Sequence, residues 1–259
     1  VNCYFEGILD DSINISSDTI MAATAFSERR FQLCNWRGVV KWNRNISAVR
    51  KGDKFMAYFP VSGEFKGPYT VVKMDKDNPA IVTFNKNIKN VVGGRVQRHK
   101  DNKATQFYNM NAVNRGFVIK NNTFAKQRRD AIRARGYDGL IEGNKILGGN
   151  GHAIELSNEF GSFYEGPFSK NIVIRGNTII EPEWTPIKVA ANTLTKPCQL
   201  LENIVIENNK IIAKEAPAFY FYNVKNIKLR QNDIYKTDGL PMTKTVKTKY
   251  VSNLKIDKQ

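Results

Sequence analysis

The chain has 259 residues, 41% of them hydrophobic and 11% aromatic, and a formal net charge of +16. This composition supports a buried core and excludes wholesale disorder; no apolar run is long enough to cross a bilayer or resembles a cleaved signal, so no membrane partner is expected. Cys3, Cys34 and Cys198 have neither metal-ligand nor disulfide spacing and read as small buried hydrophobes.

Residues 1–28 hold no Lys or Arg but carry Glu6, Asp10, Asp11, Asp18 and Glu28, a local charge of −5 that leaves +21 on the remainder. So basic a remainder points to a polyanionic partner. No nucleic-acid-binding motif accompanies the charge, so nucleic acid is not the expected one. The start Val1-Asn2-Cys3 lacks an initiator Met and reads as the C-terminal part of a longer protein.

Residues 1–20 contain the run Leu9-Asp10-Asp11-Ser12-Ile13-Asn14. A regular strand would drive one of two adjacent carboxylates inward at a high cost, so the pair is placed at a bend just before a strand. Residues 21–105 show Gly52-Asp-Lys-Phe-Met-Ala-Tyr-Phe59, Pro68-Tyr-Thr-Val-Val-Lys-Met74 and Ala80-Ile-Val-Thr-Phe84, separated by Gly63, Gly67 and the turn Asp77-Asn78-Pro79. These alternating runs predict a small inserted antiparallel β-barrel or sandwich, able to wall a neighbouring groove.

Residues 106–240 repeat. Gly116-Phe-Val-Ile-Lys-Asn-Asn-Thr-Phe124, Gly139-Leu-Ile-Glu-Gly-Asn-Lys-Ile146, Asn171-Ile-Val-Ile-Arg-Gly-Asn-Thr-Ile179, Asn203-Ile-Val-Ile-Glu-Asn-Asn-Lys-Ile211 and Asn226-Ile-Lys-Leu-Arg-Gln-Asn-Asp-Ile234 share one Asn, at 122, 144, 177, 209 and 232. Steps of 22 and 23 residues match one turn of a parallel β-helix, and steps of 33 and 32 add a loop at one corner. The Leu-dominated consensus of leucine-rich repeats is missing. The predicted fold is all-β, a right-handed parallel β-helix with the small β insert. Its asparagines take the left-handed bends and stack in an internal ladder. Residues 241–259, with Lys244, Lys247, Lys249, Lys255 and Lys258, read as a basic C-terminal tail.

Aligning the turns on the shared Asn, with Cys3 in its place, brings 1–20 in as a further turn. Eight residues on stand Asp11, Asp130, His152, Thr185 and Pro217; ten on, the apolar column Ile13, Ile132, Ile154, Ile187 and Phe219. Eleven on stand Asn14, Arg133, Glu155, Lys188 and Tyr220, and thirteen on Ser16, Arg135, Ser157, Ala190 and Tyr222. The last two columns predict a polar outward groove. Asp10 and Asp11 beside Arg133 and Arg135 could hold unlike pKa values, the equipment of a glycosidase. Capping of a bend, or capture of a cation, would also use an Asp-Asp pair.

The runs Cys3-Tyr-Phe-Glu-Gly-Ile-Leu-Asp-Asp11, Gly52-Asp53, Arg133-Ala-Arg-Gly136, Ile141-Glu-Gly-Asn-Lys-Ile146, Gly151-His-Ala-Ile154, Phe163-Tyr-Glu-Gly166 and 171–179 resemble glycoside hydrolase family 110 over most of residues 1–180, in the same order. The resemblance implies an exo-α-1,3-galactosidase that inverts configuration and needs no metal or cofactor. It makes Asp10 and Asp11 the catalytic carboxylates, and puts Asn14, Asp130, Arg133, Arg135, His152, Glu155 and Glu165 around the sugar. The family tends to carry an extra small residue between the positions of Glu165 and Gly166, and a small residue where His152 stands, so the subsite shape is expected to differ. Expected partners are a carbohydrate substrate, an anionic galactan in view of the charge, and a second copy as a homodimer. The expected location is secreted or periplasmic. A polysaccharide lyase and a non-catalytic glycan-binding β-helix are the alternative functions.

Overall fold

The computed structural model describes residues 1–35, 48–93, 103–159, 163–215 and 217–257. Lys258 and the stretches 36–47 and 94–102 of the expected insert lie outside the described residues. The first turn comprises β1 (Tyr4–Glu6), β2 (Ile13–Ile15) and β3 (Ser17–Asp18). Then come β4 (Ile20–Ala25), β5 (Arg30–Asn35), β6 (Lys54–Phe59), β7 (Glu64–Met74), β8 (Ile81–Phe84) and β9 (Gln106–Asn109), which close into an antiparallel barrel in the order β4-β5-β8-β7-β6-β9. Phe31, Phe55, Phe84 and Phe107 fill it.

The chain then resumes coiling through β10 (Val118–Lys120), β11 (Thr123–Ala125), β12 (Ile132–Ala134), β13 (Tyr137–Glu142), β14 (Lys145–Leu147), β15 (Ile154–Ser157), β16 (Glu165–Gly166), β17 (Lys170–Arg175), β18 (Thr178–Ile180), β19 (Ile187–Ala190), β20 (Leu201–Glu207), β21 (Lys210–Ala213), β22 (Phe219–Arg230), β23 (Asp233–Lys236) and β24 (Val246–Ile256). One face is the parallel sheet β1-β11-β14-β18-β21-β23. A second stacks β2, β12, β15, β19 and the first part of β22; a third stacks β10, β13, β17, β20 and the rest of β22, the long strand joining the two. Within the described coil β3 and β16 pair antiparallel, and Tyr235 and Pro241 form a single antiparallel bridge. The barrel, residues 158–169 and residues 191–200 all leave from the corner between the second and third faces.

Two ladders hold the turns in register. Inside, the backbone N–H and side-chain amide of Asn122 both donate to Oδ1 of Asn144 at 2.9 Å. Asn144 repeats this to Asn177, Asn177 to Asn209 and Asn209 to Asn232, while the N–H of Cys3 donates to Asn122 at 3.0 Å. The ladder asparagines are buried but are not the left-handed residues. Positive φ falls on the residue before each: Asn2, Asn121, Gly143, Gly176, Asn208 and Gln231. In this ladder the bend and the hydrogen bond are divided between neighbouring residues. Outside, Asn253, Asn226, Asn203 and Asn171 pass amide hydrogen bonds along to Asp138, all five with φ between 52° and 59°.

Columns of Phe124, Ile146, Ile179 and Ile211, of Ile132, Ile154, Ile187 and Phe219, and of Ile141, Ile174, Ile206 and Leu229 fill the coil, all fully buried. Each such side chain contributes about 1.5–3 kcal/mol. The barrel docks on the corner loops. Cys198 Sγ donates to the Gly63 carbonyl at 3.0 Å, Thr195 Oγ1 reaches the Pro60 carbonyl at 2.9 Å, and Phe168 packs edge-on against Tyr58, Phe65 and Tyr108.

Two expectations are corrected. The basic tail is not loose: β24 pairs in parallel with the whole of β22, burying part of Val246, Val251 and Leu254 against the core. Lys247, Lys249 and Lys255 occupy positions of that strand. Cys3 is exposed rather than buried, unlike Cys34 and Cys198, because it stands at the outermost described rung of the ladder.

Replacing Asn177 with Ala removes the shared acceptor of Asn144 and leaves buried donors unpaired. A loss of about 3 kcal/mol is expected in urea denaturation, against less than about 0.5 kcal/mol for Asn253→Gly at the solvated end of the outer ladder. Equal losses would refute the internal ladder as the register device.

Candidate active site

The second face carries the groove. Its strand register places Asn14, Arg133, Glu155, Lys188 and Tyr220 side by side, with Lys247 next on β24. Alternation turns the neighbouring Ile13, Ile132, Ile154, Ile187 and Phe219 into the core.

Arg133 is the hub of this face, with 16% of its side chain exposed. Its Nη1 lies 3.0 Å from Asp11 Oδ2, its Nη2 2.6 Å from Asp130 Oδ2 and 2.7 Å from Glu155 Oε2, and its Nε donates to Asp130 and Glu155 at 3.0 and 2.8 Å. Glu155 Oε1 meets Lys188 Nζ at 2.7 Å. Three carboxyls and two cations share this small volume, so their protonation is linked. Burial first, then the hydrogen bond and charge of Glu155, push the Asp130 carboxyl up to about 7. Burial also opposes ionisation of Glu155, but the hydrogen bond from Asp130 and the charges of Arg133 and Lys188 outweigh it and hold Glu155 below the usual carboxylate range. The shared proton therefore sits on Asp130, the carboxyl without a lysine. Burial opposes the charge of Arg133, yet Glu155, Asp130 and Asp11 together raise its pKa.

Asp10 and Asp11 lie at a bend before β2, and their carboxyls part company. Asp10 is exposed and its Oδ1 accepts the N–H of Asp11 at 2.9 Å. Asp11 turns down to Arg133, its Oδ1 accepting the N–H of Asp130 at 3.3 Å, and only 6% of its side chain is exposed. Burial raises the Asp11 pKa despite the pull of Arg133, with the charge of Asp10 adding to the rise. The bend is tied to the next turn by Arg128 N–H to the Ile8 carbonyl at 2.9 Å and Ser12 N–H to the Asp130 carbonyl at 3.0 Å.

Other expected sugar contacts sit differently. Asp130 is completely buried; it anchors Arg133 and accepts the N–H of His152 at 2.8 Å, so it positions the site from beneath. Arg135, expected on the open groove, is 1% exposed. Its alternation is outward, but the β3–β16 ribbon covers it, and its guanidinium meets the Ser157 carbonyl, Asn14 Oδ1 and Glu165 Oε2 at 2.6, 3.0 and 3.0 Å. Burial lowers its pKa, with Glu165 opposing. Gly166 lets that ribbon pass close to the barrel, since a Cβ there would stand 2.4 Å from the Tyr108 ring. A hollow of about 370 Å³ beside Glu165 is lined by Ser16, Asp18, Ile20, Ala48 and Asn109, where the barrel meets the groove. Asn14 is exposed and Glu155 buried.

His152 lies mostly buried, with Nδ1 2.8 Å from the Thr185 carbonyl and its ring edge-on to Trp184 at 5.1 Å. Burial lowers its pKa, the Thr185 contact partly offsetting this. Trp184 is half exposed and was not among the expected site residues, although a tryptophan in the polar run Glu183-Trp-Thr-Pro186 is a visible signal of a ring left at the surface. Lys188, Tyr220 and Tyr222 were expected on the groove face but not among the residues around the sugar.

A family model described as the right-handed β-helix region matches residues 75–234, taking in the last barrel strands and the coil through β23. No curated protein matches the chain in sequence. Among solved structures, the tailspike gp61 of Pseudomonas phage phi297 is similar at 10% identity and a TM-score of 0.20, over 98% of this chain and 58% of the tailspike chain.

Between pH 3.8 and about 7, native Asp130 keeps a proton that the unfolded chain has released. The group therefore costs stability as pH rises through that window, at most about 1.4 kcal/mol per pH unit. Asp130→Asn, which mimics the protonated form, should gain on the wild type across this range and run parallel to it above. Urea melts at half-unit pH intervals check this; a constant difference would place the proton elsewhere.

Proposed function

The chain belongs to the right-handed β-helix family, and we propose that it is a glycoside hydrolase releasing terminal α-linked galactose, chiefly from α-1,3 linkages, with inversion. The observation that carries this reading is the pair Asp10–Asp11: two adjacent carboxyls at a bend above the groove, held in unlike environments. The likeness of the surrounding runs to the galactosidase family supports the choice of sugar. Inverting enzymes separate their two carboxyls by about 6.5–9.5 Å to admit water. Neighbouring residues approach such a separation only by pointing apart, and here one faces solvent while the other points at Arg133.

In this mechanism Asp11, with its raised pKa, gives its proton to the glycosidic oxygen as the bond to the anomeric carbon breaks. Asp10 takes a proton from the water whose oxygen bonds that carbon from the opposite side. Arg133, held by Asp130 and Glu155, positions Asp11. Asn14 and Glu165 stand where they can meet the sugar hydroxyls, and Trp184 offers a ring for its apolar face. A galactan-degrading role would place the protein outside the cytoplasm, secreted or periplasmic.

The two carboxyls separate by leaving group. Asp11→Asn should lose about 10²–10⁴-fold on α-1,3-galactobiose yet much less on 4-nitrophenyl α-galactoside, whose phenolate needs no proton; Asp10→Asn should fall equally on both. NMR of the wild-type reaction should show β-galactose first. Glycan binding with no galactose from α-1,3-, α-1,4- or α-1,6-linked substrates would leave a groove that only binds.

A further inference from the structure

Beyond Glu155 the groove changes character. The next positions of its two outward columns are Lys188 and Ala190 on β19, Tyr220 and Tyr222 on β22, and Lys247 and Lys249 on β24. At about 4.8 Å per strand, the tyrosines lie about 10 Å from Glu155 and the last lysines about 14 Å. The Tyr220 and Tyr222 rings form one platform, their centroids 6.4 Å apart and their planes 25° apart, and Tyr250 props Tyr222 edge-on at 5.8 Å. The small Ala190 leaves space beside them, and a hollow of about 540 Å³ opens there, lined by Lys188, Asn192, Thr193, Lys196 and the two tyrosines.

Cations ring this platform. Lys196 Nζ stands 5.6 Å from the Tyr222 ring centre, Lys247 Nζ 5.8 Å from that of Tyr220 and Lys249 Nζ 5.3 Å from that of Tyr250. Among the described residues no acidic side chain lines the hollow. Lys188 is already engaged by Glu155, but among the described residues Lys196, Lys247 and Lys249 have no carboxylate partner. Elsewhere on the described coil several strand cations meet acids, as Lys170 and Lys225 meet Glu202 and Arg175 meets Glu142, while others such as Lys145, Lys210 and Lys228 stand singly. Like charges left together beside half-buried rings cost stability, and a bound anion would remove that cost.

We propose that this hollow is a second subsite, for a sugar bearing an anionic substituent, several rings along the chain from the bond cleaved. It rests on the reading of the groove as a glycan site. The sugar's apolar face stacks on Tyr220 and Tyr222, and its sulfate ester or carboxylate is held by Lys196 and Lys247. Sulfate and carboxylate share this chemistry, and the assay separates them.

Isothermal titration would compare a sulfated galactan tetrasaccharide, its desulfated counterpart, a galacturonic acid tetrasaccharide and inorganic sulfate. At low salt at least one anionic oligosaccharide should bind 10–100-fold more tightly than the neutral one, and the advantage should shrink as salt is raised. Lys196→Ala with Lys247→Ala should abolish that advantage, while Tyr222→Ala should weaken all the oligosaccharides about tenfold. The double variant should hydrolyse 4-nitrophenyl α-galactoside at the wild-type rate, because that substrate is too short to reach the hollow. Equal affinity for neutral and anionic oligosaccharides, an advantage that survives the double variant, or sulfate alone binding as well as the oligosaccharide would overturn the subsite. Failure of galactose release would leave the binding comparison intact and count only against the hydrolase.

Discussion

A buried amide has no water to turn to, and the ladder asparagines of this coil turn to the amide of the next turn. The stack from Asn122 to Asn232 satisfies donors and acceptors only when successive turns lie in a single register. A slip by one residue would break each rung and turn the isoleucine columns outward. Everything on the surface inherits this constraint. Because the rungs are locked, residues at the same offset from the ladder stand beside one another, and a groove can be assembled from single positions of many turns.

The candidate site is a direct product of such columns. Arg133, Glu155 and Lys188 are neighbours only because the strands bearing them are in register, and their alternating charges neutralise one another along the face. Asp11 and Asp130 share the column just before, where the chain bends into the strand, so their carboxyls approach Arg133 from one side. The proton shared by Asp130 and Glu155 follows from crowding three acids around one guanidinium.

Much of this was legible beforehand. The ladder spacing, the inward column from Ile13 to Phe219 and the outward column from Asn14 to Tyr220 follow from the repeat, since periodicity determines which side of a strand a side chain leaves. What lies over that side is set by other segments. Nothing near Arg135 in sequence announces the ribbon of β3 and β16 that buries it, and nothing near Asp130 shows that it sits beneath the groove. The lysines of 244–255 masked a strand by their composition, although Val246, Val251 and Leu254 carry its inward pattern. The left-handed bends were assigned to the ladder asparagines because a motif gives no way to separate the residue that turns from the residue that bonds.

Among the described residues, the long insertions of the coil gather at one corner. The barrel and the two long loops leave between the second and third faces, while the connections at the other corners are nine residues or fewer. Lengthening a loop there moves no rung and displaces no column. The molecule thus has a conservative frame and one permissive margin, and that margin runs along the rim of the groove. New walls, straps or whole modules could be tried at this edge across generations while the reacting groups kept their places.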